Sequence, residues 1–317
     1  MIKLLTKLFQ SYLFIVCLSL ALGLALPEQT KIFSPHINLL LAAMFFFIAI
    51  EVNLKDVLTQ LKTSIGIITL VNVIMLLIFP LTIYYAMKII YPELAISFML
   101  IAAMPTAMAS ALLAEIVGGK PSLALVLTVT TALLAPFTIP LVIKLTAATE
   151  VPTDFMGVFW SLVKIIMVPF ALANIAKYFS GSWLKKIQPS FGQISLILLG
   201  LLMMGVVSKQ AAVILGGLDG KILIYLIAVS LLFIGFQVFG YFIVFWRSHQ
   251  DRVTVAICLT YMNITTAIYL SYEFFNQPHI VIPTILAVFP WNLTVIPFKH
   301  IMKKIKTATT PMADKTL

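Results

Sequence analysis

Apolar stretches of about 20 residues follow one another along almost the whole chain, joined by short polar connections. This is the feature that most constrains the fold. Hydrocarbon offers a backbone N–H or C=O no partner, so a stretch of this length must satisfy its own backbone, as an α-helix. The expectation is an all-α polytopic membrane protein. Composition points the same way: 62% of the 317 residues are hydrophobic and 10% charged, where soluble domains carry about 25% charged residues. Ten spans can be read, at about 11–27, 37–53, 64–87, 93–117, 121–146, 155–179, 191–215, 221–246, 252–275 and 281–302.

The basic residues give the threading. With connections assigned alternately from the N-terminus, fifteen of the 21 Lys and Arg fall on the N-terminal side and five on the other, with Lys164 inside the sixth span. The positive-inside rule then places both termini in the cytoplasm. The net charge of +10 belongs to these connections. No basic soluble domain is present, which excludes nucleic acid as a partner and leaves the lipid bilayer. Lys3 and Lys7 precede an apolar run, Tyr12 to Leu26, that is longer than a signal-peptide core and reads as the first helix. Cys17 and Cys258 both lie in apolar stretches, which argues against a disulfide framework.

Ten spans divide into five and five. A repeated odd-numbered unit must insert with opposite orientation, the inverted-repeat plan of many carriers. The expected boundaries are 1–150 for the first repeat, 151–306 for the second and 307–317 for a cytoplasmic tail. Breaks are expected in the fourth span (Met104 to Ser110), the fifth (Thr128 to Pro136, then Pro140), the ninth (Tyr261 to Thr266) and the tenth (Pro283, Pro290 to Asn292, Pro297). Interrupted segments at matching positions in two halves point to a binding site at mid-membrane depth.

At these residues the chain resembles the bile acid:sodium symporter family, which includes bacterial carriers. The likeness is colinear over nearly the whole length. It rests on Val52-Asn53-Leu54-Lys55, Pro80, Pro105 to Ser110, Gly118-Gly119, Thr128, Pro136, Ser161 to Lys164, Pro169, Asn263, Pro283 and Trp291-Asn292. The resemblance implies a panel domain of helices 1, 2, 6 and 7 and a core domain of helices 3–5 and 8–10. It also implies that broken helices 4 and 9 cross where sodium and substrate bind, in an inner (plasma) membrane. Ser110 and Thr128 match two oxygen ligands of the family's first sodium site, and Asn263 matches its asparagine in helix 9. Four positions depart. Ala111 replaces an asparagine, Ala124 a serine, Cys258 the glutamate and Met262 the glutamine; no acid lies between Arg252 and Tyr272. Losing that carboxylate removes a full compensating charge for a hard cation, although neutral oxygens still bind monovalent ions.

Other residues carry two readings each. Lys164 lies near mid-depth, where charges default to function in a cavity or domain interface; against that, Pro169 frees the carbonyl of Ile165 beside it, a structural role. Glu51 is a cavity-rim charge or a solvated helix end facing Lys55 at i+4. Thr265 and Thr266 flank Asn263 in a polar run read as part of the site. Thr106, Thr130 and Thr131 serve the cavity or helix packing, and Asn292 beside Trp291 is a further cavity candidate.

The expected function is a secondary active transporter of a small organic solute, an organic anion, by alternating access, with sodium as the coupling ion. The alternatives are a proton-coupled or uncoupled carrier of the same fold, or a sensor that does not transport. No HExxH, mid-membrane acid pair or metal-ligand spacing of His indicates an enzyme. Neither substrate identity nor oligomeric state follows from these motifs. The orientation is directly testable: a green fluorescent protein fused to the C-terminus should fluoresce, and alkaline phosphatase fused there should be inactive. The opposite pair of results would invert every loop assignment.

Overall fold

The computed structural model describes residues 12–147, 154–187, 190–216 and 220–309. The boundary at 150–151, the tail beyond 309, and Lys3, Lys7 and Lys315 lie outside them, as do the side chains of Glu51 and Trp183.

The described residues are helical nearly throughout. Helix α1 is Tyr12–Ala25, and after two short turns α2 follows at Ile37–Glu51. Helix α3 is Leu54–Ile90. The fourth comes in two pieces, α4a (Ala95–Ala103) and α4b (Ser110–Val117), and α5 is Pro121–Leu145. Helix α6 is built from Phe155–Leu162, Val163–Met167 and Val168–Ile187; α7 is Phe191–Gly216 and α8 is Lys221–Phe242. The ninth is again in two pieces, α9a (His249–Thr260) and α9b (Ile264–Leu270, extended by Ser271–Phe275). Helix α10 comprises Pro278–Leu286, Val288–Leu293 and Val295–Thr309. Among the described residues, six helices are long and apolar enough to cross a membrane alone, and the pair at the end of α10, bent by 42°, would make a seventh. The four expected spans outside those six are α1, described for 14 residues, the two broken helices and the bent one.

Polar residues set the ends. Asn53 accepts from the Lys55 N–H at the start of α3, Asp154 from the Gly157 N–H at α6, and Ser248 from the Asp251 N–H at α9a. Each satisfies an N–H that the helix leaves without a partner. Gly118 ends α4b at φ 92°, a conformation that a Cβ would penalise. At the other end of α2, the Lys177 ammonium reaches across from α6 to the carbonyls of Ala49 and Val52, 3.2 and 2.5 Å away.

Proline behaves in two ways. Ahead of Pro80 and Pro169 the ladder widens into π-turns, at Ile74–Ile78 and Val163–Met167. A proline has no N–H for the carbonyl four residues back, and the helix slips by one residue to accommodate it. In α5, by contrast, the expected break is absent: the helix runs unbroken for 25 residues through Pro136 and Pro140. Each proline costs one ladder bond, and the rest of the ladder holds the rod straight enough to continue.

Packing sorts the helices. Helix α7 lies along α1 and α2, and the second half of α6 lies on α2. Helices α3, α4a and α5 pack together, α8 packs on α9a, and α9a on α4b and α5. Outward-facing apolar stripes run along the exterior, for example Leu223, Ile227, Leu231, Ile234 and Val238 of α8, all about half exposed. Such a stripe is suited to lipid.

The α4b–α5 connection is tied to the start of α9a by charge. Asp251, with its side chain 4% exposed, accepts from Lys120 at 2.8 Å and Arg247 at 3.1 Å. Burial alone would raise its pKa; the hydrogen bonds of Lys120 and Ser248 and the charges of Lys120 and Arg247 outweigh that and hold it below the ordinary 3.8. The stabilisation is therefore complete above about pH 4 and is lost as pH falls through the depressed value. Removing both cations, Lys120→Ala with Arg247→Ala, leaves a buried carboxylate unpaired and should cost about 3 kcal/mol. It would be read as a lower melting temperature in detergent at pH 7, with a smaller loss for Asp251→Asn.

Candidate functional site

The two helix breaks meet at the centre of the molecule. Between α4a and α4b, Met104 leaves the helix at ψ 146°; between α9a and α9b, Tyr261 and Asn263 are non-helical at ψ 72° and 81°. The two stretches run antiparallel and bond to each other. The Asn263 N–H donates to the Pro105 carbonyl and the Ala107 N–H to the Tyr261 carbonyl, both at 2.8 Å, with Thr106 opposite Met262. Groups that each break frees are thus satisfied by the other, as an interior without water requires.

Side chains complete the crossing. The Thr106 hydroxyl donates to the Cys258 carbonyl at 3.1 Å, and the Thr106 N–H donates to the Thr131 hydroxyl at 3.1 Å. The Ser110 hydroxyl donates to the Tyr261 carbonyl at 3.1 Å. The carbonyl of Ala107 accepts from the Ser110 N–H at 3.0 Å, and the Thr128 hydroxyl stands 3.5 Å from it. Asn263 caps α9b by accepting from the Thr266 N–H at 3.1 Å. Of the residues expected from the sequence, Thr106, Ser110, Thr128, Thr131 and Asn263 thus come together. Thr130 sits on the next face of α5, with its hydroxyl 3.3 Å from the buried Asn72 of α3.

A cavity of about 120 Å³ opens beside the crossing. One wall is apolar: Leu41, Met44, Phe45 and Ile48 of α2 and Leu199 of α7. The other is made of the breaks themselves, Ala107 to Ala109 and Met262 to Thr265, with Trp291. The Trp291 indole N–H donates to the Met262 carbonyl at 3.0 Å, and its ring meets Tyr261 edge-on. Behind it, Gln237 of α8 donates to the Tyr261 hydroxyl and the Thr294 carbonyl. Thr265 and Asn263 are therefore the expected residues that face the cavity. The hydroxyls of Thr260 and Thr266 are buried with no hydrogen-bond partner in the structure.

Two expected residues lie apart. The Asn292 side chain donates back to the Val288 carbonyl of its own helix at 2.7 Å. Lys164 is exposed, in register with Met156, Trp160, Val168, Leu172 and Ile175 on the outward stripe of α6. Its neighbours in the π-turn, Ile165 and Ile166, are buried instead. The sequence reading missed Gln237, Tyr261 and Asn72, although an amide inside an apolar span is itself a signal. It also missed the α2 and α7 wall, where apolar side chains look like any packing face.

The arrangement offers neutral oxygens only. Ser110, Thr128, the carbonyls of Ala107 and Tyr261, and the unpartnered Thr266 hydroxyl suit a hard monovalent cation by type. Cys258 is fully buried. Among the described residues no group of three or more His, Cys, Asp or Glu is placed to hold a metal ion.

A polytopic helical membrane protein with two helix breaks bonded at its centre is the class that these features define. The profile of the Sodium Bile acid symporter family matches residues 38–217, more than half the chain, and the chain belongs to that family of transporters. The matched stretch runs from α2 to the end of α7 and includes the first break. No curated protein matches the chain.

The Thr106 and Ser110 bonds hold the two breaks in register. Ser110→Ala and Thr106→Val should each lower stability by about 1 kcal/mol per bond lost, and the double variant by more than their sum if the breaks act as one unit. Thermal unfolding in detergent reads this directly, and strict additivity would show that the breaks are held independently.

Proposed function

We propose that this chain is a secondary carrier of a small organic anion, working by alternating access in an inner membrane with both termini cytoplasmic. The observation that carries the reading is the cavity at the crossing, walled by α2 and α7 on one side and by the two breaks on the other. At about 120 Å³ it holds a few waters, not an organic solute of ordinary size. Admitting one requires the two walls to part, and a seam that parts alternately toward each face is a transport cycle.

The reading groups α1, α2, α6 and α7 as a panel that rocks against a core of α3–α5 and α8–α10, each group drawing on both inverted five-helix repeats. The solute rests on Asn263 and Thr265, with its anionic group toward the N-termini of α4b and α9b, where the helix dipole favours negative charge. One sodium ion is the coupling ion, held by Ser110, Thr128 and the carbonyls around them. The lack of any acid from Arg252 to Tyr272 favours a one-ion cycle over a two-ion cycle. It also keeps a proton-coupled or uncoupled carrier as the second reading.

Sodium dependence separates the two. In detergent at matched ionic strength, sodium at ten times its dissociation constant should stabilise the protein by about 1.4 kcal/mol over choline. The gain should shrink in Ser110→Ala and Thr128→Ala. Identical melting curves in the two salts would eliminate the sodium site and leave the proton-coupled or uncoupled carrier.

A further inference from the structure

A second cavity, of about 300 Å³, lies where the same seam reaches the face that the charge count assigns to the outside. Lys31, Ser34 and Asn38 line it from the connection before α2 and the first turn of α2, Lys209 from α7, and Tyr272 and Glu273 from the extension of α9b. We propose that this cavity is an outer binding site for the carboxylate of a small organic anion, occupied before the solute reaches the crossing. Its place in a transport cycle rests on the carrier reading above; its chemistry does not.

Two ammonium groups from separate elements converge here for a local reason. The segment Lys31–His36 lies against α7 at Gly205, where a Cβ would stand 3.0 Å from the Phe33 carbonyl carbon and the Ser34 nitrogen. The Ser34 hydroxyl donates to the Gly205 carbonyl at 2.7 Å and fixes that approach. Only a glycine lets the two chains meet so closely, and their meeting brings Lys31 and Lys209 to one cavity.

The charges there are not matched internally. Lys209 stands 5.8 Å over the Tyr272 ring and is in no ion pair among the described residues. Lys31 has only an exposed contact to Glu28 at 3.9 Å. Glu273 is in no ion pair among the described residues. Two cations and one carboxylate line the cavity, and Glu28, outside the lining, stands beside Lys31; Lys209 is the cation left without a carboxylate, and Ser34, Asn38 and Tyr272 supply hydrogen-bonding groups. An anion is attracted, and Glu273 keeps it from being trapped, as a site on a transit path needs.

Position supports the same assignment. Ile37 lines the outer cavity and Leu41, one turn along α2, lines the central one. Both are buried, at 2% and 1% exposed, and close the seam between the two cavities. Parting the seam would remove that barrier and join them.

Benzoate is the probe, with benzyl alcohol as its uncharged counterpart, in equilibrium dialysis against the full chain in detergent. Benzoate should bind and benzyl alcohol should not, with a component that weakens as ionic strength rises. Lys31→Gln with Lys209→Gln should weaken that component about tenfold, and Glu273→Gln should tighten it about threefold. All three side chains are exposed, so the variants should fold as the parent does, with melting temperature as the check. Undiminished binding in the lysine variant, weaker binding in Glu273→Gln, or no benzoate bound at about 10 mM would each overturn the outer site. Binding lost only in Asn263→Ala would also overturn it while leaving the central site standing. Binding lost only in the lysine variant would support the outer site and count against Asn263 as the solute's anchor.

Discussion

Two backbone hydrogen bonds, from Asn263 to the Pro105 carbonyl and from Ala107 to the Tyr261 carbonyl, are the interaction on which the rest of this structure depends. A helix cannot stop inside a membrane without leaving N–H and C=O groups bare, and each bare group costs several kcal/mol in hydrocarbon. Neither break is tenable alone. Laid antiparallel, each supplies the other's missing partners, and the threonine and serine hydroxyls at the crossing take up carbonyls that the short pairing leaves over. The broken fourth and ninth helices are therefore one structural unit, although Thr106 and Cys258, bonded across the crossing, lie 152 residues apart in sequence.

That unit also explains why the site is polar but uncharged. Every oxygen at the crossing is a hydroxyl or a carbonyl, and most already accept or donate within it. A cation entering there would exchange these bonds for coordination, with no carboxylate to offset its lost hydration. On the alignment that the resemblance implies, Cys258 and Met262 fall where that family has an acid and an amide. Cys258 packs with no exposure, and Met262 sits within the pairing itself. The crossing is therefore built from neutral groups, with no acid from Arg252 to Tyr272.

Charge instead collects where the helices meet water. The buried Asp251 with Lys120 and Arg247 ties the α4b–α5 connection to α9a, so both broken helices are anchored at one end as well as at the centre. Across the molecule, Lys31, Lys209 and Glu273 edge the seam between α2, α7 and α9b without neutralising one another. A fixed ion-pair network at one end and unmatched charges along the seam at the other suit a body that moves along that seam while the crossing stays intact.

The sequence by itself determined the class of this protein. Apolar runs of membrane length dictate helices, because no other open structure satisfies its backbone in lipid. Pro105 and the polar run at Asn263 located both breaks for the same reason. It overstated α5, since Pro136 and Pro140 look like breakers until the continuous ladder around them is seen. It also drew Lys164 inward, because depth along a helix is legible in sequence, whereas which stripe of α6 faces outward is decided by what the helix packs against. The partnering of the two breaks, the apolar wall from α2 and α7, and the close approach at Gly205 were decided only by the tertiary structure. Each depends on residues far apart in the chain whose local patterns are those of ordinary packing, and only their meeting in space gives them a role.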